Sequence, residues 1–306
     1  MKVSTSYFYD RSTLGITEAQ GRLATTQAKL ASGKQLVAPS EDPDRALAID
    51  RVNGAIASQE ALRERLDTVR ARIDAQETAL GSASSILARI KELALRGVDD
   101  TLSPSNRDAI ALEMELLREQ MVTLANSRDD GGAYLFGGSA VGAPPFQGEG
   151  DAVSYQGDQT PGWLVNGSQQ LLEFNRAGTA AFSRVVRTTE GVAQGVPFFD
   201  VLDQLAAAVR GSDRSGMQRG LGELDQLARA NTIALVEIGA SGAALDNQVS
   251  LVDESVLRLK TARSGLEDLD YAQAIAAMNK EMTSLQAAIT SFGKIAQLNL
   301  FNLVDI

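Results

Sequence analysis

One stretch decides the fold class, Asp42 to Arg96: "DPDRALAIDRVNGAIASQEALRERLDTVRARIDAQETALGSASSILARIKELALR". Apolar or small residues recur within it at spacings of three and four, at Ile49, Val52, Ile56, Leu66, Val69, Ile73, Leu80, Ala83, Leu87, Ile90 and Ala94. Three polar residues interrupt the same stripe, at Gln59, Arg63 and Gln76. This sustained heptad pattern predicts one long helix that packs along a narrow apolar seam.

An acidic cluster precedes this helix. Glu41, Asp42 and Asp44 carry the oxygen ligands that a hard cation prefers, but the cluster lacks the glycine and the downstream carboxylate of a calcium loop. Asp42 followed by Pro43 has the order of an N-cap and a first helical residue, where acidic side chains also favour the helix dipole. The stretch therefore predicts a hinge and helix cap at Gly33, Pro39, Asp42 and Pro43, without a metal.

Further helical patterns lie on both sides of a central break. After a turn with Ser103 or Ser105 as N-cap and Pro104 in the first helical turn, a second stripe runs from Ile110 to Leu124. The short connection favours an antiparallel hairpin. Helix is expected again from Phe198, with a break at "RGSDRSG" and a strict stripe that resumes after "EIGASGAAL" and reaches Leu266.

The break between these arms is rich in glycine, proline and aromatic residues and shows no helical period. Short runs such as "AVSY", "WLVN" and "LLEF" lie between turn signals, which predicts a small β-rich unit. Gly137 to Gly142 has the glycine spacing of a phosphate-binding loop, but "AP" stands where lysine and a hydroxyl residue belong. We interpret these glycines as β-turns and expect no cofactor.

Both ends of the chain carry their own apolar seam. Such helices are marginal in water unless the apolar stripe is buried. These ends are rich in small residues, so the stripe is expected to be buried either within the chain or against another subunit. The candidate subunit-packing residues are Tyr9, Ile16, Leu23, Leu30, Ile275, Met278, Met282, Leu285, Ile289 and Phe292. At the C-terminus we assign subunit docking or capture by an export chaperone to Leu298, Leu300 and Phe301.

Composition excludes several classes of function. The chain has 306 residues and a net charge of −10, which offers no general attraction to nucleic acid or to anionic lipid. It contains no cysteine and no histidine, so the usual nucleophile–base pairs and the commonest metal ligands are missing. We expect a protein that is not an enzyme, with no membrane span and no cleaved signal peptide in "MKVSTSYFYDRSTLG".

Three segments together resemble the family of bacterial flagellins and hook-associated proteins. They are "MKVSTSYFYD", "LASGKQLVAPSEDPDRALAI" and "SLQAAITSFGKIAQLNLFNLV". Pro39 and the "EDP" of Glu41 to Pro43 are more similar to junction members of the family than to flagellin, which tends to have Asp-Asp-Ala-Ala there. The central "GGAYLFGGSAVGAPPF…VSYQGD" and the final "LNLFNLV" favour the same choice.

The resemblance implies a structural protein of the flagellum at the junction between hook and filament, exported through the flagellar type III channel and located outside the cell. Its implied partners are other copies of itself, the first hook-associated junction protein, flagellin, an export chaperone and the export apparatus. The resemblance also implies an inner layer of terminal helices, a rod of long helices and an outer β domain. Flagellin itself, and a cytoplasmic helical adaptor whose ends pair within one molecule, are the alternatives.

The sequence therefore predicts a mainly α protein, a long antiparallel helical bundle or coiled coil formed by the N- and C-terminal regions with a small β-rich domain inserted centrally. We expect five segments along the chain. They are an N-terminal inner helix (1–40), the two halves of a helical rod (41–130 and 198–269), the inserted outer domain (131–197) and a C-terminal inner helix (270–306).

Overall fold

The computed structural model describes residues 2–148, 153–160, 162–165, 171–189 and 192–304. The helices in these ranges are α1 (Lys2–Ser32), α2 (Pro43–Gly97), α3 (Pro104–Ala125), α4 (Gly178–Ala181), α5 (Phe198–Arg210), α6 (Arg214–Glu267) and α7 (Tyr271–Val304). The strands are β1 (Phe146–Gln147), β2 (Ser154–Tyr155), β3 (Gly162–Val165), β4 (Leu171–Asn175), β5 (Val185–Thr189) and β6 (Val192–Val196). The predicted mainly α fold with a central β-rich insertion is confirmed.

The chain divides into two compact units. One unit contains residues 1–62 and 252–306, and the other contains residues 63–251. We call them the terminal unit and the central unit. Helices α2 and α6 each contribute residues to both units. The five segments expected from the sequence describe layers of an assembly and stay a prediction.

The central unit has a large apolar core. The heptad stripe of α2 is buried from Leu66 to Ala94, as the spacing predicts. Ser103 caps α3 by accepting a hydrogen bond from the Asn106 amide, and Pro104 follows it at the first helical position. Each fully buried large side chain contributes about 1.5–3 kcal/mol. Those that face this core from four helices include Leu66, Leu80, Leu87, Ile90, Leu93, Met114, Met121, Leu205 and Leu224.

Helix α6 runs without interruption through "EIGASGAAL". Glycine within a helix costs about 1 kcal/mol relative to alanine, and the buried side chains of Ile238 and Leu245 on either side outweigh that cost. Asn231 of α6 is also buried, and its Nδ2 donates to the Leu80 carbonyl of α2 at 3.1 Å.

In its described residues, the insertion contains α4 and three antiparallel two-stranded ribbons, β1–β2, β3–β4 and β5–β6. A cluster of aromatic rings attaches it to α5. Phe182 lies 5.4 Å from Phe146 and 5.3 Å from Phe198, measured between ring centroids. Phe199 is almost fully buried against the same rings, 5.5 Å from Phe146. These rings give the short ribbons the apolar support that an isolated two-stranded ribbon lacks.

The segment "YLFGG", residues 134–138, ties the insertion to α2. Arg72 Nη2 donates to the Tyr134 carbonyl at 2.5 Å and to Asn175 Oδ1 at 2.8 Å, and Arg72 Nη1 is paired with Asp129. Gln76, which interrupts the heptad stripe, donates to the Leu135 carbonyl at 3.1 Å. Burial lowers the pKa of the Arg72 guanidinium, and the charge of Asp129 opposes that shift. The segment is thus a backbone strap, held by buried polar side chains.

Gly138 closes this strap. Its φ of +63° lies in the left-handed region that favours glycine, and a Cβ there would collide with the Asp158 carbonyl. Its own carbonyl accepts a hydrogen bond from Asn175 Nδ2. Gly138, one of the glycines that the sequence suggested as turns, therefore allows two backbone segments of the insertion to approach closely.

Candidate assembly interface

The two terminal helices form an antiparallel pair. The rings of Tyr9 and Phe292 meet edge to face at 5.5 Å. Further along, Arg22 and Glu281 line the same cavities, and Gly33 faces Tyr271. The order of these contacts shows that α1 and α7 run antiparallel. The pair joins two segments from opposite ends of the chain.

The core of this pair is thin. Among its residues with described side chains, Ala19 and Ala274 are the buried apolar ones. The larger seam residues of α1, and Met278, Leu285 and Phe292 of α7, are only half-buried. Because a buried alanine contributes far less than a buried leucine, the pair gains little stability from its own contact.

Three of the sequence-predicted packing residues are exposed in the α1–α7 pair. Ile275, Met282 and Ile289 are spaced by seven and are 46%, 50% and 44% exposed. A spacing of seven places them on one flank of α7, which we call the apolar flank. Next to Met282 an open groove continues past Gln286 and Thr290. On α1, Tyr7 and Leu14 are also seven apart and are 65% and 63% exposed.

A joint connects the terminal pair to the long helices. Residues 33–35, after α1, pair with residues 267–269, before α7. The Gln35 amide donates to the Glu267 carbonyl at 2.7 Å, and the Leu269 amide donates to the Gly33 carbonyl at 3.0 Å. Lys34 and Glu267 form an ion pair at 2.6 Å. The sequence indicated the first half of this joint but not its pairing with the second half.

The acidic cluster lies beside the joint. Asp42 Oδ1 accepts a hydrogen bond from the Arg45 amide at 3.0 Å, which is the contact of an N-cap before Pro43. Glu41 pairs with Lys29 of α1 at 2.8 Å. Pro39 lies in the turn between α1 and α2. Asp42 therefore caps the helix, and Glu41 pairs with a lysine. Among the described residues, no group of side chains is placed to hold a metal ion.

The C-terminal docking candidates lie at the end of α7. Leu298, Leu300 and Phe301 belong to its last turns, and their side chains lie outside the described part of the structure. Their proposed role therefore stays a prediction. No helix among the described residues is both long enough and apolar enough to span a membrane.

Gly33→Ala is expected to impair assembly into flagella, because a left-handed backbone costs alanine about 1–2 kcal/mol wherever the joint is formed. Gly33 has φ +68°, and a Cβ there would lie 2.7 Å from the Tyr271 hydroxyl. Because the joint sets the direction of the terminal pair, incorporation into flagella or filament shape should change more than thermal melting does. Pro39→Ala should behave in the same way.

The variant Gly33→Ala/Tyr271→Phe is the matched control, because it removes the hydroxyl contact and keeps the backbone strain. It should recover part of the assembly defect. If Gly33→Ala damaged the melting of the isolated subunit as much as its assembly, the joint would have no special role in assembly.

Comparison with known proteins identifies two regions of the chain. Residues 3–141 match the bacterial flagellin N-terminal helical region, and residues 222–304 match the bacterial flagellin C-terminal helical region. The two matches together cover the terminal pair, the joint and most of the long helices.

Individual relatives match over nearly the full length. The chain is 26% identical to flagellar hook-associated protein 3 of Escherichia coli K12 over 318 residues, covering 99% of each protein. It is 23% identical to flagellin of Listeria monocytogenes over 297 residues, covering 97% of this chain and 94% of that protein. The crystal structure of Xanthomonas campestris FlgL shares the fold, with a TM-score of 0.62, 23% identity and coverage of 71% of this chain and 99% of that one.

Proposed function

The chain belongs to the family of bacterial flagellins and flagellar hook-associated proteins, and from that membership we propose that it is a structural subunit of the junction between hook and filament. The match to hook-associated protein 3 covers 99% of the chain at 26% identity, whereas the match to Listeria monocytogenes flagellin covers 97% of it at 23%. We assign it a structural role and no enzymatic one.

The observation that carries the proposal is the incomplete burial of the terminal pair. Its described core contains two buried alanines, while Ile275, Met282 and Ile289 form an exposed apolar flank. An exposed apolar row of this kind is expected where another molecule binds. We therefore propose that the terminal pair completes its core against neighbouring subunits.

The action of such a subunit is mechanical. In a heterologous contact one patch binds a different patch on the next copy, so repeated contacts form a ring or a helical turn. A junction must present one surface to the hook side and another to the filament side. The first hook-associated protein and flagellin are the proposed neighbours, and other copies of this chain complete the layer.

Delivery to that position requires export from the cell. We propose that the chain leaves through the flagellar type III channel with the help of an export chaperone, and that it lies outside the cell in the finished flagellum. Leu298, Leu300 and Phe301 are the proposed docking residues for the chaperone or for a neighbouring subunit. Deleting residues 298–301 should abolish chaperone binding in a pull-down while the central unit keeps its melting temperature.

The flagellin alternative is tested by seeded growth. Purified protein is added to fragments of its own assemblies and to hook fragments, and filament length is followed by electron microscopy. A junction subunit should bind as a short layer and stop, because its two ends meet dissimilar neighbours. Long filaments grown from its own fragments would establish the flagellin function instead.

The adaptor alternative is tested by circular dichroism of the isolated subunit with and without residues 1–40 and 270–306. Because the terminal pair has a thin core, we expect it to be mostly unfolded until a neighbour covers it. The trimmed chain should therefore show nearly the same helical signal as the full chain. A large loss of helical signal on trimming would favour a protein whose ends pair stably within one molecule.

A further inference from the structure

A carboxylate lies in the middle of the seam between α1 and α7. From Tyr271 to Phe292, the α7 residues that are not exposed follow one another at alternating spacings of four and three, which is the pattern of a two-helix seam. They are Ala274, Met278, Glu281, Leu285, Ala288 and Phe292. Glu281 is the one charged residue among these six.

The Glu281 carboxylate faces α1 without a partner. It lines one cavity with Thr25 and Thr26 and another with Ala19. Its Oε2 atom is buried, and no described residue forms a hydrogen bond with it. Arg22 lines both cavities as well, but its side chain is exposed. Because a buried carboxylate oxygen without a partner is destabilising, closing the seam over Glu281 carries a cost.

The rest of the pair offsets little of that cost. The buried apolar side chains described in the pair are those of Ala19 and Ala274. Met282, next to Glu281, and Ile289 are 50% and 44% exposed, so the apolar flank is buried only when another molecule covers it. Closing the pair and covering the flank are therefore more favourable together than closing the pair alone.

We propose that Glu281 keeps the terminal pair open in the isolated subunit, so that the pair closes only when a neighbouring subunit covers the apolar flank. The inference rests on the proposed function and names the residue that couples closing to assembly. When the binding-competent state of a protein is rarely populated, its apparent affinity falls by that fraction. Glu281 in this way weakens association between subunits that are not yet in a flagellum.

The test uses the full-length chain with Glu281→Gln, which removes the charge and keeps the length and helix propensity of the side chain. Native and variant chains are titrated with trimethylamine N-oxide, an osmolyte that favours burial, and followed by circular dichroism. Closing of α1 and α7 gives a large signal, since they contain 31 and 34 residues. The closing constant of the variant should be about tenfold larger, so its midpoint should lie at a lower osmolyte concentration.

Self-association is measured on the same chains by sedimentation without osmolyte. Because the variant populates the closed pair more often, it should associate at a roughly tenfold lower concentration than the native chain. All chains share the same central unit, so a difference between them reports the terminal helices.

Two variants serve as controls. Glu18→Gln makes the same substitution at an exposed residue of α1 that lines one of the same cavities, and it should keep the native midpoint. Glu281→Met is also neutral and adds apolar surface to the seam, so it should close at least as readily as Glu281→Gln.

Four results would overturn the role of Glu281. They are a Glu281→Gln midpoint that is not below the native one, an equal shift from Glu18→Gln, a shift from Glu281→Met alone, and a lowered midpoint with unchanged self-association. A midpoint above the native one would show that Glu281 holds the pair closed through Arg22 instead. If native protein is found at the hook–filament boundary, these results leave the proposed function in place. If native protein is absent from flagella, the proposed function itself fails.

Discussion

A subunit with Met282→Asp and Ile289→Asp is expected to disappear from assembled flagella. Both residues lie on the apolar flank and are about half exposed, so the isolated subunit should tolerate the change. At the centre of a subunit contact each unpaired charge should cost at least about 2 kcal/mol. Two such losses correspond to a roughly 1,000-fold weaker contact. The measurement is quantitative immunoblotting of sheared flagella against the total cell content.

The matched control carries Ala277→Asp and Ser284→Asp. These residues are also exposed and also seven apart on α7, but they lie on the other flank, beside Ala19 and Arg22 of α1. The control adds the same charge to the same helix and should remain in flagella. If the control were lost to the same extent, the defect would come from charge on α7 in general, and the apolar flank would not be the contact.

Arg72→Met is expected to destabilise the central unit by about 3–5 kcal/mol, the usual result of removing one partner from a buried ion pair. The Arg72 side chain is 8% exposed. Its loss leaves the Asp129 carboxylate, the Tyr134 carbonyl and the Asn175 side-chain oxygen without this donor. Urea unfolding should show the loss, and limited proteolysis should first cut the released insertion.

Arg70→Met is the control for that variant. Arg70 lies two residues earlier on the same helix and pairs with Asp74 and Asp246, but its side chain is 37% exposed. Exposed pairs of this kind contribute about 0–1 kcal/mol. If Arg70→Met proved as destabilising as Arg72→Met, the strap would not be what holds the insertion to α2.

The helices could be predicted from the sequence because their signals are local. The seam from Leu66 to Ala94 repeats every three or four residues, and Ser103 before Pro104 has the composition of a helix start. Each of these signals lies within a few turns of the residues it describes. The family could be identified for the same reason, since the motifs that carry the resemblance are contiguous in the sequence.

The strap and the joint could not be predicted because their contacts are distant in sequence. Arg72 reaches Tyr134 across 62 residues and Asn175 across 103. The Gly33 carbonyl accepts from Leu269, near the other end of the chain. Gln76 gave a signal, since a polar residue on an apolar stripe needs a partner, but the sequence did not say that the partner is the Leu135 carbonyl.

The division of the ten candidate packing residues also required the structure. Spacing alone predicted the same role, subunit packing, for all ten residues. In the fold, Tyr9 and Phe292 contact each other, whereas Ile275, Met282 and Ile289 are left on the surface. The first group aligns the two ends of one chain, and the second group is available to a neighbour. The structure therefore indicates which residues of α7 are exposed for contact with a neighbouring subunit, which the sequence alone did not.

If this protein forms the layer between hook and filament, it occupies one position in an intact flagellum, and labelling that position is the most direct test. A short epitope tag in the insertion, for example after Gly148, is labelled with gold-conjugated antibody and viewed by electron microscopy. A single narrow band at the hook–filament boundary is expected. Label along the whole filament, or no label on flagella from cells that produce the tagged protein, would contradict it.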